Sequence, residues 1–341
     1  MAAKNNECEE YHLGDFIKRY YLPTMYGIIF IVGLVGNIAA IAIYLLKIRP
    51  FHSSGIIMLN LAVADLLYVL SLPFLVHYYN TRNWMFGDFM CSLVRFCFHF
   101  NLYGSIFLLT CFSVFRYVVV VHPLKAVQVK RQSWGIISCL ATWFLCLILF
   151  NHMFGLIKTK TIQRYNEDTT TVNYSINQTV CIDFASNDSP EVWLYNWILT
   201  IFGFLVPLFV VCLNYICMAV ALSRGPLPHR PAHVRARRTT VLILLVFVLC
   251  FTPYHLLRLA RVDTKKRSVS CPTLEGVNVV YIISRPLAGL NTFFNLALYT
   301  LAGDRFRQAF WSLFSWKASL PQSMVATIHR PRGLSCNHLY K

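Results

Sequence analysis

Charge is what this sequence has least of. Only 13% of its 341 residues are Asp, Glu, Lys or Arg, against 57% hydrophobic, where a soluble domain carries roughly a quarter charged and half apolar. That shortage excludes a soluble globule and makes a bilayer the natural solvent. Acids are scarcer still, 14 against 31 bases for a formal net charge of +17. The bases fall in clusters between apolar runs, so they mark membrane faces rather than a nucleic-acid footprint. Catalytic signatures are missing: no Ser-His-Asp arrangement, phosphate-cradling Gly loop or zinc-protease pattern stands out, and the chain is read as not an enzyme. His77, His99, His152 and His255 fall in apolar runs without the paired spacing of a closed metal site. Residues 1–21 lack the basic start, apolar core and small-residue cleavage site of a removable signal peptide, so the first span is expected to act as its own insertion signal. Short Gly/Pro-broken spans in corresponding halves, the mark of inverted-repeat carriers, are absent too.

What is there is a series of apolar runs at 22–47, 54–80, 88–121, 133–155, 192–222, 236–262 and 274–301, each long enough for the ~20 residues a helical span needs. The fold class is an all-α membrane protein, a bundle of seven transmembrane helices. Lys47 and Arg49, then Lys125, Lys130 and Arg131, then Arg224, Arg230, Arg235, Arg237 and Arg238, then Arg305 and Arg307 occupy alternate connections, which the positive-inside rule makes cytoplasmic. The other connections hold nearly all the acids: Glu7, Glu9, Glu10, Asp15, Asp88, Glu167, Asp168, Asp183, Asp188 and Glu191. The expected layout is an extracellular tail at 1–21, the bundle at 22–303, a short amphipathic eighth helix on the cytoplasmic face at 304–316 and a cytoplasmic tail at 317–341. Phe306, Phe310 and Phe314 recur at helical spacing with Arg305 and Arg307 between them, as a helix lying on membrane lipid requires. The Pro-rich basic link 224–235 and the tail predict no regular structure.

Of twelve cysteines, Cys97, Cys111, Cys139, Cys146, Cys212, Cys217 and Cys250 lie within spans, where a thiol is a small buried hydrophobe, and Cys336 is in the tail. Cys8, Cys91, Cys181 and Cys271 remain on the oxidising side, with three possible pairings. Asn173-Tyr-Ser, Asn177-Gln-Thr and Asn187-Asp-Ser match the glycosylation pattern in the loop 156–190, with Asn173 and Asn177 the expected acceptors.

Ionisable groups inside spans are costly and mark function by default. Asp65 requires a sodium ion or hydroxyl and amide partners, for which Ser105, Asn291 and Asn295 are candidates. Cys91, Arg95 and His99 are spaced i, i+4, i+8 on one helical face, which places Arg95 about 6 Å and His99 about 12 Å below Cys91, with Arg116 about 37 Å away at the inner end. The sixth span carries Tyr254, His255, Arg258 and Arg261 after Pro253, and the seventh carries Arg285 after Tyr281. Arginines near span ends often merely snorkel to the headgroups. Arg95, Arg258 and Arg285 sit deeper, and no acid in their own spans balances them. A ligand with two carboxylates or phosphates would supply the missing charge, each close pair gaining about 4 kcal/mol before desolvation.

Gly36-Asn37, Leu61-Ala-Val-Ala-Asp65, Trp84-Met-Phe-Gly87 with Cys91, Arg116-Tyr117, Trp143, Pro207, Tyr215, Phe251-Thr-Pro253 and Asn295-Leu-Ala-Leu-Tyr299, in this order, resemble the rhodopsin-like G-protein-coupled receptors from about residue 20 to 315. The resemblance implies a plasma-membrane receptor with a heterotrimeric G protein and an arrestin as partners, Arg116, Tyr215 and Tyr299 serving the coupling, an outer disulfide Cys91–Cys181 and, in the nucleotide-receptor-like (purinergic-like) branch, a second, Cys8–Cys271. The seventh span has no Lys to anchor retinal. Arg95, His99, Arg258 and Arg285 match the anion-binding positions of the dicarboxylate receptors of that branch, those for succinate and 2-oxoglutarate, and stretches such as His77-Tyr-Tyr79 and Phe98-His-Phe-Asn-Leu-Tyr103 resemble the latter more closely. The implied ligand is a small anionic metabolite held by those four with Tyr79, Tyr103, Tyr254, His255, Arg261 and Tyr281. Nucleotides and cysteinyl leukotrienes are alternative ligands; a dicarboxylate carrier and a non-signalling decoy are readings of another class. Two positions depart from the wider family: Phe115 replaces the acid that restrains Arg116, and Leu296 replaces a Pro, removing an expected kink.

Overall fold

The computed structural model describes residues 12–48, 51–157, 159–165, 175–187, 190–224, 231–267 and 269–314. Cys8, Asn173 and Cys336 lie outside them. The helices are α1 (His12–Phe16), α2 (Leu22–Lys47), α3 (Ser53–Thr81), α4 (Gly87–Val121), α5 (Pro123–Val129), α6 (Gln132–Leu156), α7 (Glu191–Thr200), α8 (Val206–Arg224), α9 (Pro231–Val246), α10 (Thr252–Lys266), α11 (Cys271–Gly289), α12 (Asn291–Ala302) and α13 (Asp304–Phe314). Helix α9 begins at Pro231, so residues 231–235 of the basic link are helical, with a proline where its missing N–H costs nothing.

Three helix pairs are continuous through a single π turn: α1 and α2 through Ile17–Tyr21, α7 and α8 through Ile201–Leu205, α9 and α10 through Phe247–Phe251. Each π turn ends two residues before a proline, Pro23, Pro207 or Pro253. A proline has no N–H to give the carbonyl four residues back and its ring crowds that carbonyl, and a wider turn absorbs both faults. At the last of these turns the Thr252 hydroxyl donates to the Phe247 carbonyl (2.8 Å).

Six uninterrupted helices among the described residues are long and apolar enough to cross a bilayer. The seventh expected run is divided between α11 and α12 at Leu290, whose N–H bonds to the carbonyls of Pro286 (3.0 Å) and Leu287 (3.1 Å). The break therefore occurs despite Leu296, six residues further on, whose side chain packs where a Cβ on Gly36 would stand. The outward side chains of the spans, such as Ile31, Val35, Leu46, Phe144 and Phe209, are exposed and apolar, as lipid contact demands. Phe306 of α13 is buried against Tyr44 and Tyr299, so this face of the amphipathic helix docks on the bundle.

The outer loop forms a hairpin, β1 (Thr159–Tyr165) paired antiparallel with β2 (Ser175–Cys181) in the register Thr159↔Cys181. It is pinned to the turn between α3 and α4: Trp84 N–H donates to Thr179 O (2.8 Å) and Thr179 N–H to Asn83 Oδ1 (2.9 Å). Gly87 supplies the left-handed φ of 76° that this turn needs.

Candidate functional site

Cys91 at the outer end of α4 is joined to Cys181 at the end of β2, with their Cα atoms 5.7 Å apart. Of the implied second bridge, Cys271 is disulfide-bonded. The seven span cysteines are free thiols. The first bridge has a consequence for the site, because the residue two places past Cys181 is Asp183. Its carboxylate lies 3.9 Å from an Arg95 Nη and 3.9 Å from an Arg285 Nη, accepts a hydrogen bond from the Tyr281 hydroxyl, and is buried with both arginines. Arg95 also donates to Cys181 O (3.1 Å), and Tyr79 stands beside the same two guanidiniums. Burial by itself would raise the Asp183 carboxyl, and the Arg285 and Arg95 charges outweigh it, holding the group well below the usual carboxylate range. Its stabilising contribution is present above the ordinary aspartate pKa of about 3.9 and is lost only as pH falls below it.

The arginine cluster therefore has an acid after all, supplied by the loop rather than by the spans. In the sequence Asp183 is one of the outer acids that set topology. The signal was its distance of two residues from a cysteine that pairs with Cys91, one turn above Arg95.

The second half of the cluster sits deeper, between α4, α7 and α10. Arg258 is fully buried, donates from Nη2 to the Thr200 hydroxyl (3.3 Å), and lies over the rings of Tyr254 (5.4 Å) and Tyr103 (5.8 Å). Its Nε and Nη1 have no hydrogen-bond partner, and no carboxylate among the described residues pairs with it. A Cβ at Gly203 would collide with the Tyr103 ring, so the glycine is what lets Tyr103 reach this position. His99 and His255 each place Nδ1 on a carbonyl one turn back, Arg95 O (2.9 Å) and Phe251 O (2.8 Å). A carbonyl only accepts, so both Nδ1 atoms carry hydrogen and the neutral rings present Nε2 as an acceptor. His99 Nε2 meets the Tyr254 hydroxyl (3.4 Å), whereas His255 Nε2 is buried with no partner. His99 is thus an acceptor while neutral and joins the cations only when protonated. Arg261 lies further out and is partly exposed. The fold thus brings Arg95, Arg285, Tyr79 and Tyr281 around one acid and gathers Arg258, His99, Tyr103, Tyr254 and His255 into a second cluster. Asn196 and Thr200, neither a sequence candidate, complete the α7 side.

Asp65 is held by amide and hydroxyl groups of its neighbours. Its oxygens accept from Asn101 (2.7 Å), Asn295 (2.9 Å) and Thr292 (3.2 Å). Of the three candidates Asn295 bonds it, beside Asn101 and Thr292, which the sequence did not single out; Ser105 Oγ and the Asn291 amide are buried without partners. At the inner end Arg116 lies over the Phe112 ring (4.7 Å). Phe115 packs against the core, Tyr215 is half-buried, and Tyr299 is fully buried, edge-on to Tyr44.

Membrane-length helices, a disulfide tying an outer hairpin to α4 and an ion-paired polar cluster beneath it define a seven-helix membrane receptor. The chain belongs to the 7 transmembrane receptor (rhodopsin family), whose description matches residues 36–299; it is a multi-pass G-protein-coupled receptor and not an enzyme. It is similar to 2-oxoglutarate receptor 1 of Rattus norvegicus, 46% identical over 88% of this chain and 86% of the relative. The Mus musculus protein of that name is 45% identical over 89% and 86%. Succinate receptor 1 of Rattus norvegicus is 34% identical over 91% and 95%, and a purinoceptor of Gallus gallus 38% over 85% and 78%.

Proposed function

We propose that this receptor stands in the plasma membrane with its N-terminus outside and senses a small dicarboxylate, 2-oxoglutarate first among candidates. The observation that carries the reading is the division of three buried arginines from three spans. Arg95 and Arg285 share one internal carboxylate, and among the described residues Arg258 faces hydroxyl and aromatic groups. Asp183 stands where a ligand carboxylate would be held by Arg95 and Arg285; the second carboxylate goes to Arg258. A ligand shifts a conformational equilibrium only by its different affinity for the two states. Drawing α4, α10 and α11 together at the outer end favours the state whose inner end admits a G protein, of the calcium-mobilising Gq type, with an arrestin as second partner. The two relatives named for 2-oxoglutarate support that ligand, and those named for succinate and purines make succinate and nucleotides the next to try, followed by cysteinyl leukotrienes.

A sodium ion fits Asp65: its partners are neutral, and Ser105 and Asn291 add buried oxygens without partners. Asn177 is an exposed residue of β2, suited to carry a glycan.

The test is a calcium response to 2-oxoglutarate in transfected cells, with Arg258→Ala alongside at matched surface expression. Losing a buried charged contact of about 2–5 kcal/mol should weaken potency at least thirtyfold. An unchanged half-maximal concentration removes Arg258 from the site. Accumulation of radiolabelled dicarboxylate without nucleotide exchange would point to transport instead.

A further inference from the structure

The dicarboxylate reading leaves one set of buried polar atoms with no task. Asn196 on α7 is fully buried, yet neither its amide nitrogen nor its amide oxygen has a hydrogen-bond partner. Thr200, four residues on and so on the same helix face, donates its hydroxyl to Asn196 O (2.8 Å) and accepts from Arg258 (3.3 Å). Arg258 keeps two unpartnered donor nitrogens, and His255 Nε2 is an unpartnered acceptor. Buried polar groups are ordinarily paired, and those that are not call for an explanation. Thr200 reaches Arg258 from α7, and Asn196 stands one turn before it on the same face of that helix.

We propose that Asn196 and Thr200 form an α7 arm of the ligand site that takes the second anionic group of the ligand together with Arg258. The amide suits that task because it has two faces: its oxygen can accept an Arg258 N–H while its nitrogen donates to a carboxylate. The two ends of the ligand then meet different chemistry. One end competes with Asp183 for a guanidinium pair of which that carboxylate already balances one charge. The other enters a subsite that has donors and no acid among the described residues, and this arm is what distinguishes a dianion from a monoanion.

The proposal rests on the dicarboxylate reading, and four substitutions separate the two. Asn196→Leu removes two unpaired buried atoms, so the purified ligand-free receptor should melt at a higher temperature than wild type while its response to 2-oxoglutarate shifts to about tenfold higher concentration or more, the worth of a hydrogen bond to a charged group. Asn196→Asp gives Arg258 a built-in counter-ion and should lose more potency than Asn196→Leu. Thr200→Val should weaken the response and Thr200→Ser should restore it. A residue with a purely structural role would behave in the opposite way: Asn196→Leu would lower the melting temperature and leave potency alone. That result, or wild-type potency in Asn196→Leu and Thr200→Val at matched surface expression, overturns the α7 arm. A wild-type receptor unresponsive to every dicarboxylate overturns the reading beneath it as well.

Discussion

Asp183→Asn probes the site with a change of one charge and almost no volume. Asp183 lies 3.9 Å from each of two buried guanidiniums, so each pairing gains about 4 kcal/mol of gross Coulomb energy at an effective dielectric near 20. Most of that gain offsets desolvation. Removing one member of a buried ionic cluster nevertheless costs about 3–5 kcal/mol, because the partners stay behind uncompensated. The ligand-free receptor should therefore melt at a clearly lower temperature. A dicarboxylate brings the missing charge back, so its stabilising effect should grow, and its affinity should rise about tenfold or more if even 1.4 kcal/mol of the competition with Asp183 is relieved. The assay is thermal unfolding of purified wild type and Asp183→Asn across a 2-oxoglutarate titration. An unaltered ligand-free melting temperature would show that Asp183 is not the counter-ion of Arg95 and Arg285. A destabilised variant whose affinity falls would show that Asp183 supports the bound ligand rather than competing with it.

Three further outcomes follow from other parts of the molecule. Cys181→Ser frees Asp183 from the end of α4, and should cost about 2–5 kcal/mol of stability and raise the affinity for 2-oxoglutarate as Asp183→Asn does, read by thermal unfolding across a ligand titration; a stable variant with unchanged affinity would detach the disulfide from the site. Phe115→Asp places an acid beside Arg116 and should lower ligand-free nucleotide exchange several-fold, whereas unchanged basal exchange would mean that Arg116 needs no such restraint here. Asp65→Asn removes the charge that a sodium ion would answer, so any effect of sodium on agonist affinity should vanish; an effect that persists in the variant places the ion elsewhere.

The spans were legible because apolar length and alternating basic connections are local properties of the chain. The face that carries Cys91, Arg95, His99 and Tyr103 was legible too, since a spacing of four residues places side chains on one side of a helix. Asp183 was not, because its position depends on a hairpin register and a disulfide that join residues far apart in sequence. The same limit hid Asn101 and Thr292 from Asp65: helix rotation in the bundle decides which amide or hydroxyl arrives first. Asn196 carried no pattern of its own, and its meaning came only from being buried without partners. The π turns lie between. Pro23, Pro207 and Pro253 announced a fault in each helix, and only the fold shows that a wider turn rather than a break resolves it, while Leu290 breaks the last span without a proline at the break.

The proposed trigger of this receptor is a dicarboxylate held by Arg95, Arg285 and Arg258. The most direct measurement is guanine-nucleotide exchange on a purified Gq-type heterotrimer by the receptor reconstituted in lipid nanodiscs, titrated with 2-oxoglutarate. Saturable stimulation is expected, shifted by Arg258→Ala to at least thirtyfold higher concentration, the lower end of about 2–5 kcal/mol. Exchange that 2-oxoglutarate and succinate both leave unchanged, with the receptor folded and the heterotrimer competent, would contradict it.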